Sequence, residues 1–236
     1  MTLTASPVPS RVSGLWAGLT LSAQFVLIWT TFFILSSAID WPASLDDPAA
    51  IALPRLLENK PAVLMGYASY LAAALLLVPA TAALNGRLGL SGPMAGLNLS
   101  LATFAALAKA IGISRWLFVM PALADAYNQS GAATGGIDLL FSAINAYAGG
   151  IGEVIGVGLV SGLWSLSIAV SLWRVGGILP TALAGTLGLT GLGLFLTIPA
   201  GFGMDLGPVL TLTNIAWQFA LFAIGLWALT PVRPRH

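Results

Sequence analysis

Six apolar runs, each long enough to cross a bilayer, alternate with polar segments along this chain: 14–39, 61–84, 93–123, 137–173, 176–198 and 208–230. A bilayer-crossing helix needs about 20 predominantly apolar residues. The pattern therefore predicts an all-α, polytopic membrane helix bundle of six spans, folded as a single integral membrane domain. The first run is too long for a signal peptide and lacks a cleavage site, so it reads as an uncleaved anchor. The intervening segments carry loop and turn signals. They comprise an outer loop over 40–60, tight turns at Asn85-Gly86-Arg87 and Trp173-Arg174-Val175-Gly176-Gly177, a small-residue loop from Asp125 to Asp138, and a closing loop from Pro199 to Pro208.

Charge orients these spans. Arg11, Arg87, Arg174, Arg233 and Arg235 fall at alternate ends with no acidic residue among them. The opposite ends hold Asp40, Asp46, Asp47, Glu58, Asp125, Asp138 and Asp205, offset only by Arg55 and Lys60. By the positive-inside rule the chain is expected to run N-in and C-in. Runs 93–123 and 137–173 exceed what a hydrocarbon core of about 30 Å requires at 1.5 Å per residue. Spans three and four are thus expected to tilt, to extend on the outer side, or to break there, with Pro121 and Gly149-Gly150 as the natural break points.

Three ionisable residues lie inside the apolar runs: Lys109, Arg115 and Glu153. Such residues are costly in a membrane and mark function or a specific partner. Counted from Gly92, Arg115 stands about 35 Å above the inner boundary; counted back from Arg174, Glu153 stands about 32 Å above it. Opposite charges at matching height on neighbouring antiparallel helices predict an Arg115–Glu153 ion pair. Gly149, Gly152 and Gly156 share the Glu153 face of the helix, and such small-residue spacings mark close helix contacts, so the carboxylate is expected to face a neighbour and not lipid. Lys109, about 26 Å up, points elsewhere and is expected to snorkel outward along its stem. The pair reads equally as a ligand site or as a clamp between helices. The Trp residues near span ends (Trp16, Trp41, Trp116, Trp173, Trp227) read as interfacial belt residues, with Trp116 also able to line an outer pocket beside Arg115. Asn98 and Asn214 read as interhelical hydrogen-bonding residues.

Composition narrows the chemistry further. Of the 236 residues 58% are hydrophobic and 7% charged, too little polar surface for a soluble globule. With no Cys at all, thiolate metal sites and cysteine nucleophiles are excluded, and with one His, the terminal His236, an imidazole-bound metal would need a partner chain and His acid–base chemistry is not expected. A net charge of +1 without a basic run argues against nucleic acid as a partner. No cofactor, metal ligand or catalytic residue is expected.

The stretch Ala110-Ile111-Gly112-Ile113-Ser114-Arg115-Trp116-Leu117-Phe118-Val119-Met120-Pro121-Ala122-Leu123-Ala124, with Asn145-Ala146-Tyr147-Ala148-Gly149 leading into Gly152-Glu153 and Gly162-Leu163-Trp164, resembles an uncharacterised family of bacterial multi-span membrane proteins. The shared pattern is Arg-Trp, a Pro-containing turn, then Gly-Glu in the next span. It implies that Arg115, Trp116, Pro121 and Glu153 act as one unit. The candidate binding residues are then Arg115, Glu153, Trp116, Lys109, Tyr147 and Asn145, with Pro121, Gly149, Gly152 and Gly156 structural.

Function is expected in one of three classes. The first is an accessory or binding protein of the bacterial cytoplasmic membrane, holding a lipid-like or small anionic ligand in an outer-side pocket around Arg115 and Glu153. The second is a structural subunit of a larger membrane complex, respiratory or photosynthetic, partnered by other membrane protein subunits. A small-molecule transporter ranks lower, because spans five and six lack ionisable residues and no internal repeat is visible.

Overall fold

The computed structural model describes residues 10–131 and 133–231; Arg233, Arg235 and His236 lie outside the described residues. Seven helices account for the fold: α1 (Arg11–Ile39), α2 (Ala49–Glu58), α3 (Lys60–Leu88), α4 (Gly92–Gln129), α5 (Gly135–Trp173), α6 (Ile178–Gly201) and α7 (Gly207–Ala228). All but α2 are long and apolar enough to cross a membrane, which places the chain among multi-pass membrane proteins with a lipid bilayer as their environment.

The six long helices alternate in direction and close into a ring in chain order. Consecutive members α1, α3, α4, α5, α6 and α7 pack side by side, and α7 returns to α1. The α1–α3 pair is the most extensive. Ser10 N donates to Gly86 O at 3.3 Å at one end of this pair, and Thr31 Oγ1 donates to Gly66 O at 3.2 Å further along. The end where α1 finishes and α3 begins carries the Asp and Glu residues and is called the acidic end; the end with Arg11, Arg87 and Arg174 is the basic end.

Segment 40–60 is not the open loop its charges suggest. Asp40 caps α1 in the left-handed conformation at φ 61°, a 3-10 turn spans Ala43–Asp46, and α2 then lies over the acidic end. Ala49, Ala52, Leu53 and Leu56 are buried, an i, i+3, i+4, i+7 stripe that rests on the outer parts of α4 and α5. Two ion pairs tie this cap down: Arg55 to Asp47 at 3.1 Å and Lys60 to Asp125 at 2.8 Å.

Helices α4 and α5 are long and unbroken, and protrude past their neighbours to meet α2. Neither is broken at the expected position. Each accommodates a change of register as π-helical turns: Arg115–Val119 in α4, directly before Met120-Pro121, and Gly150–Ser161 in α5, directly after Gly149. Proline lacks the N–H that a continuing ladder would use, and the wider π turn directly ahead of Pro121 lets helical structure continue through it.

Apolar packing falls into two clusters. One fills the basic half around Leu21, Leu77, Leu84, Trp164, Ile168 and Trp217. The other fills the acidic half around Leu35, Leu53, Tyr67, Ile113, Trp116 and Met120. Between them, on the inside of the ring, lies the polar level described next.

Candidate functional site

The close crossing of α4 and α5 positions the charged residues. Gly112 and Gly152 face each other with no side chain between: a Cβ on Gly112 would stand 2.7 Å from Gly152 Cα, and one on Gly152 would stand 2.9 Å from Gly112 Cα. Above this crossing, Arg115 Nη2 donates to Glu153 Oε1 at 3.1 Å, the pairing that their matched heights predict. Gly149 makes room for the guanidinium, since a Cβ there would lie 2.9 Å from Arg115 Nη1. Trp116 backs the arginine, its ring centre 5.9 Å from Cζ, and Tyr67 stacks on Trp116 at 5.2 Å with the rings nearly parallel.

The two partners differ in environment. Arg115 is 5% exposed whereas the Glu153 side chain is 50% exposed. The carboxylate thus presents one oxygen to the arginine and half its surface to the outside of the bundle, so the expectation that it faces only a packed neighbour is corrected. Beside this pair, where an outer-side pocket is expected, the acidic-half cluster packs around Trp116 and Tyr67. What remains there is a cavity of about 10 Å³ bordered by Ser44, Arg55 and Trp116, room for about one water. Asn145 Nδ2 donates to Leu45 O at 3.1 Å and so ties α5 to the cap. Tyr147 is 74% exposed and makes no hydrogen bond or ion pair with either member of the pair among the described residues. Pro121 is buried beneath α2.

Lys109 does not snorkel outward. It is 6% exposed and its ammonium points into the ring, with Nζ 4.9 Å from the centre of the Trp217 ring on α7. Gly156 seats its stem, since a Cβ there would approach Lys109 N at 3.0 Å and Cγ at 3.1 Å. Lys109 lies six residues from Arg115 and does face another direction. Because α4 has neighbours on several sides, that direction leads to a second interior face and not to lipid.

Trp217 is held rigidly for this contact. Its Nε1 donates to Ser165 Oγ at 2.8 Å, and Ser165 Oγ donates to Ser161 O at 2.7 Å. Its edge meets Trp164 at 6.5 Å, and Trp164 Nε1 donates to Thr81 Oγ1 at 3.0 Å. Such second-layer bonds fix the ring face that a cation uses.

Around Lys109 lies a cavity of about 30 Å³, bordered by Gln24, Tyr70, Asn214, Trp217 and Gln218 together with small residues of α3. Gln24 is buried and its Oε1 has no hydrogen-bond partner among the described residues. Asn214 spends one amide hydrogen on Leu210 O within its own helix, at 2.9 Å, and turns its side chain to the cavity, so it is not the interhelical bond expected of it. Asn98 is: it donates to Asn85 Oδ1 at 2.9 Å and accepts from Ser167 Oγ. Counted at 1.5 Å per residue from the basic end, Gln24, Asn214 and Lys109 stand roughly 20–26 Å up, near mid-height of the ring.

Gln24 and Gln218 were not among the residues singled out by sequence. Their signal is the bare presence of a glutamine inside an apolar run, in the first and last spans, which α1–α7 contact brings together. Trp227 also departs from the belt expectation, since it is buried with Arg87 Cζ 4.8 Å above its ring. No protein-family model, no curated protein and no solved structure matches the chain.

Proposed function

We propose that this protein is a membrane-embedded binding protein whose ligand site is the mid-height cavity around Lys109, with the Arg115–Glu153 pair clamping α4 to α5 above it. The observation that carries this reading is a buried lysine with no ion pair or hydrogen bond among the described residues, facing a polar cavity inside the ring. Retaining such a group in a membrane interior is costly unless something occupies the space beside it. The π-helical turns support the same reading, since such turns are frequent at functional sites, and the long one in α5 runs past both Glu153 and the cavity. The charge asymmetry of the two ends supports an N-in, C-in orientation, and the Ala/Gly/Leu-rich composition with short loops suits a bacterial cytoplasmic membrane.

The chain's lack of cysteine makes the test clean. Ala73→Cys places a thiol on the cavity wall, and Leu107→Cys places one on the exposed outer face of α4. In intact membranes suspended in nitrate buffer the cavity thiol is expected to react with silver ion, a thiol reagent small enough for a space of about 30 Å³, and the lipid-facing thiol to stay unmodified. An unreactive Ala73→Cys would mark the space as sealed and the reading as wrong. Gentle solubilisation adds a second check: a monomer or small homo-oligomer agrees with a binding protein, and a large assembly of fixed stoichiometry would favour the complex-subunit alternative. The cavity's mid-height position also favours carriage of the bound solute across the bilayer as a second reading. That reading requires solute flux into reconstituted vesicles that Lys109→Met abolishes.

A further inference from the structure

The ring interior does not balance its own charge. Two cations of α4, Lys109 and Arg115, are buried in the bundle, and Glu153 of α5 reaches Arg115 from a half-exposed position. Glu153 is the sole carboxylate, and its contact at 3.1 Å commits it to Arg115. The other described acids pair or lie at the acidic end, beyond the Trp116–Tyr67 stack. Lys109 is left with the face of Trp217 at 4.9 Å, which offers partial negative charge and no counter-ion. The lining supplies further donors: the amide groups of Gln24, Asn214 and Gln218 and the hydroxyl of Tyr70. Gln24 is buried and its Oε1, an acceptor, has no partner, so the side chains do not close the site on themselves, and the amide's Nε2 is the end that an anion would use.

A fixed ammonium, side-chain N–H and O–H donors and no free carboxylate make a lining suited to an anion. Size then selects within that class. A cavity of about 30 Å³ is two to three times what one water needs. It admits a compact monovalent anion and excludes a phosphate ester or a dicarboxylate. Apolar clusters lie on both sides, so a second negative charge would itself go uncompensated. We infer that the cavity around Lys109 binds a small monovalent anion of halide or nitrate size, which completes the charge balance of the ring interior. This rests on the binding role proposed above and names its ligand class.

The test uses the purified full chain in detergent micelles, followed by thermal unfolding in sodium chloride, bromide or nitrate against sodium gluconate and sulfate at matched ionic strength. A ligand that binds only the folded state raises its stability logarithmically with concentration. The melting midpoint is expected to rise by about 3–5 °C per tenfold increase in small anion above its dissociation constant, and to stay flat in gluconate and sulfate. Lys109→Met removes the ammonium, and Ala73→Leu fills the space while keeping it; both are expected to abolish the dependence. Two variants guard against one that fails to fold. Equal midpoints in chloride and gluconate for the wild type would overturn the inference, as would an undiminished chloride response in a folded Lys109→Met or Ala73→Leu protein. A reactive Ala73→Cys thiol with no anion response would remove the anion and leave the cavity as a site. An unreactive thiol would remove both.

Discussion

Gly150→Ala and Gly152→Ala make the same chemical change two residues apart on α5, and the crossing with α4 gives them opposite consequences. At Gly152 the added methyl would stand 2.9 Å from Gly112 Cα, where carbon atoms pack at about 3.5–4.0 Å. The offending atom is backbone and cannot rotate away, so the helices must part by roughly 0.6–1 Å. Overpacking of this kind costs about 1–3 kcal/mol, and alanine returns about 0.4–1 kcal/mol by restricting the unfolded chain. The net expectation is a loss of about 1–2 kcal/mol. At Gly150 nothing lies within 4 Å of the added methyl and the backbone is already helical, at φ −56° and ψ −43°. Only the gain of about 0.4–1 kcal/mol remains there. Reversible unfolding of purified protein in mixed micelles of increasing SDS fraction reads both values. Gly112→Ala opens the same contact, so Gly112→Ala/Gly152→Ala should cost less than the sum of the singles. A Gly152→Ala protein as stable as the wild type, or a Gly150→Ala protein that loses as much, would refute the glycine contact as what sets the α4–α5 spacing.

Three further outcomes are expected. Glu153→Ala strands the buried Arg115 guanidinium. A fully buried pair would lose about 3–5 kcal/mol, and the half-exposed carboxylate lowers this to about 1–3 kcal/mol, while Glu153→Gln, which keeps an acceptor for Arg115 Nη2, should cost less in the same unfolding assay. Gly149→Ala pushes against the side-chain end of Arg115 rather than against backbone, so it should cost under about 1 kcal/mol and weaken the coupling between Arg115 and Glu153 measured by a double-mutant cycle. Trp217→Phe keeps a ring face for Lys109 but loses the bond to Ser165. It should destabilise by about 1 kcal/mol, and a protein unchanged in stability would mean that the Trp217–Ser165–Ser161 chain does not hold the ring.

The six spans are legible from sequence because burial in lipid is a property of each run by itself, and no partner need be known. The Arg115–Glu153 pairing is legible for a related reason: height along a straight helix is simple counting, and both residues sit on neighbouring helices joined by a short connection. Direction around the helix is harder. Facing away from Arg115 is compatible with lipid or with a second interior wall, and only the closure of α7 onto α1 decides between them for Lys109. The cavity was hidden for the same reason, since Gln24 and Asn214 come from the first and last spans. In segment 40–60 the charges of Asp46, Asp47, Arg55 and Glu58 masked a helical stripe that Ala49, Ala52, Leu53 and Leu56 carry plainly. That signal was available to a reading at a period of 3.6 residues.

The seating of Lys109 against Trp217 has a consequence for how the chain is made. Lysine and tryptophan lie on the fourth and the last helices, so the ribosome delivers the ammonium roughly a hundred residues ahead of the ring that covers it. At about 5–20 residues per second, that interval is on the order of ten seconds. Throughout it α4 is in place while one wall of its surroundings is missing, and the charge must be sheltered by the insertion machinery or by water drawn in beside it. Arrival of α7 therefore does more than add a span: it is the step that shuts the ring and brings the Trp217 face to the Lys109 ammonium.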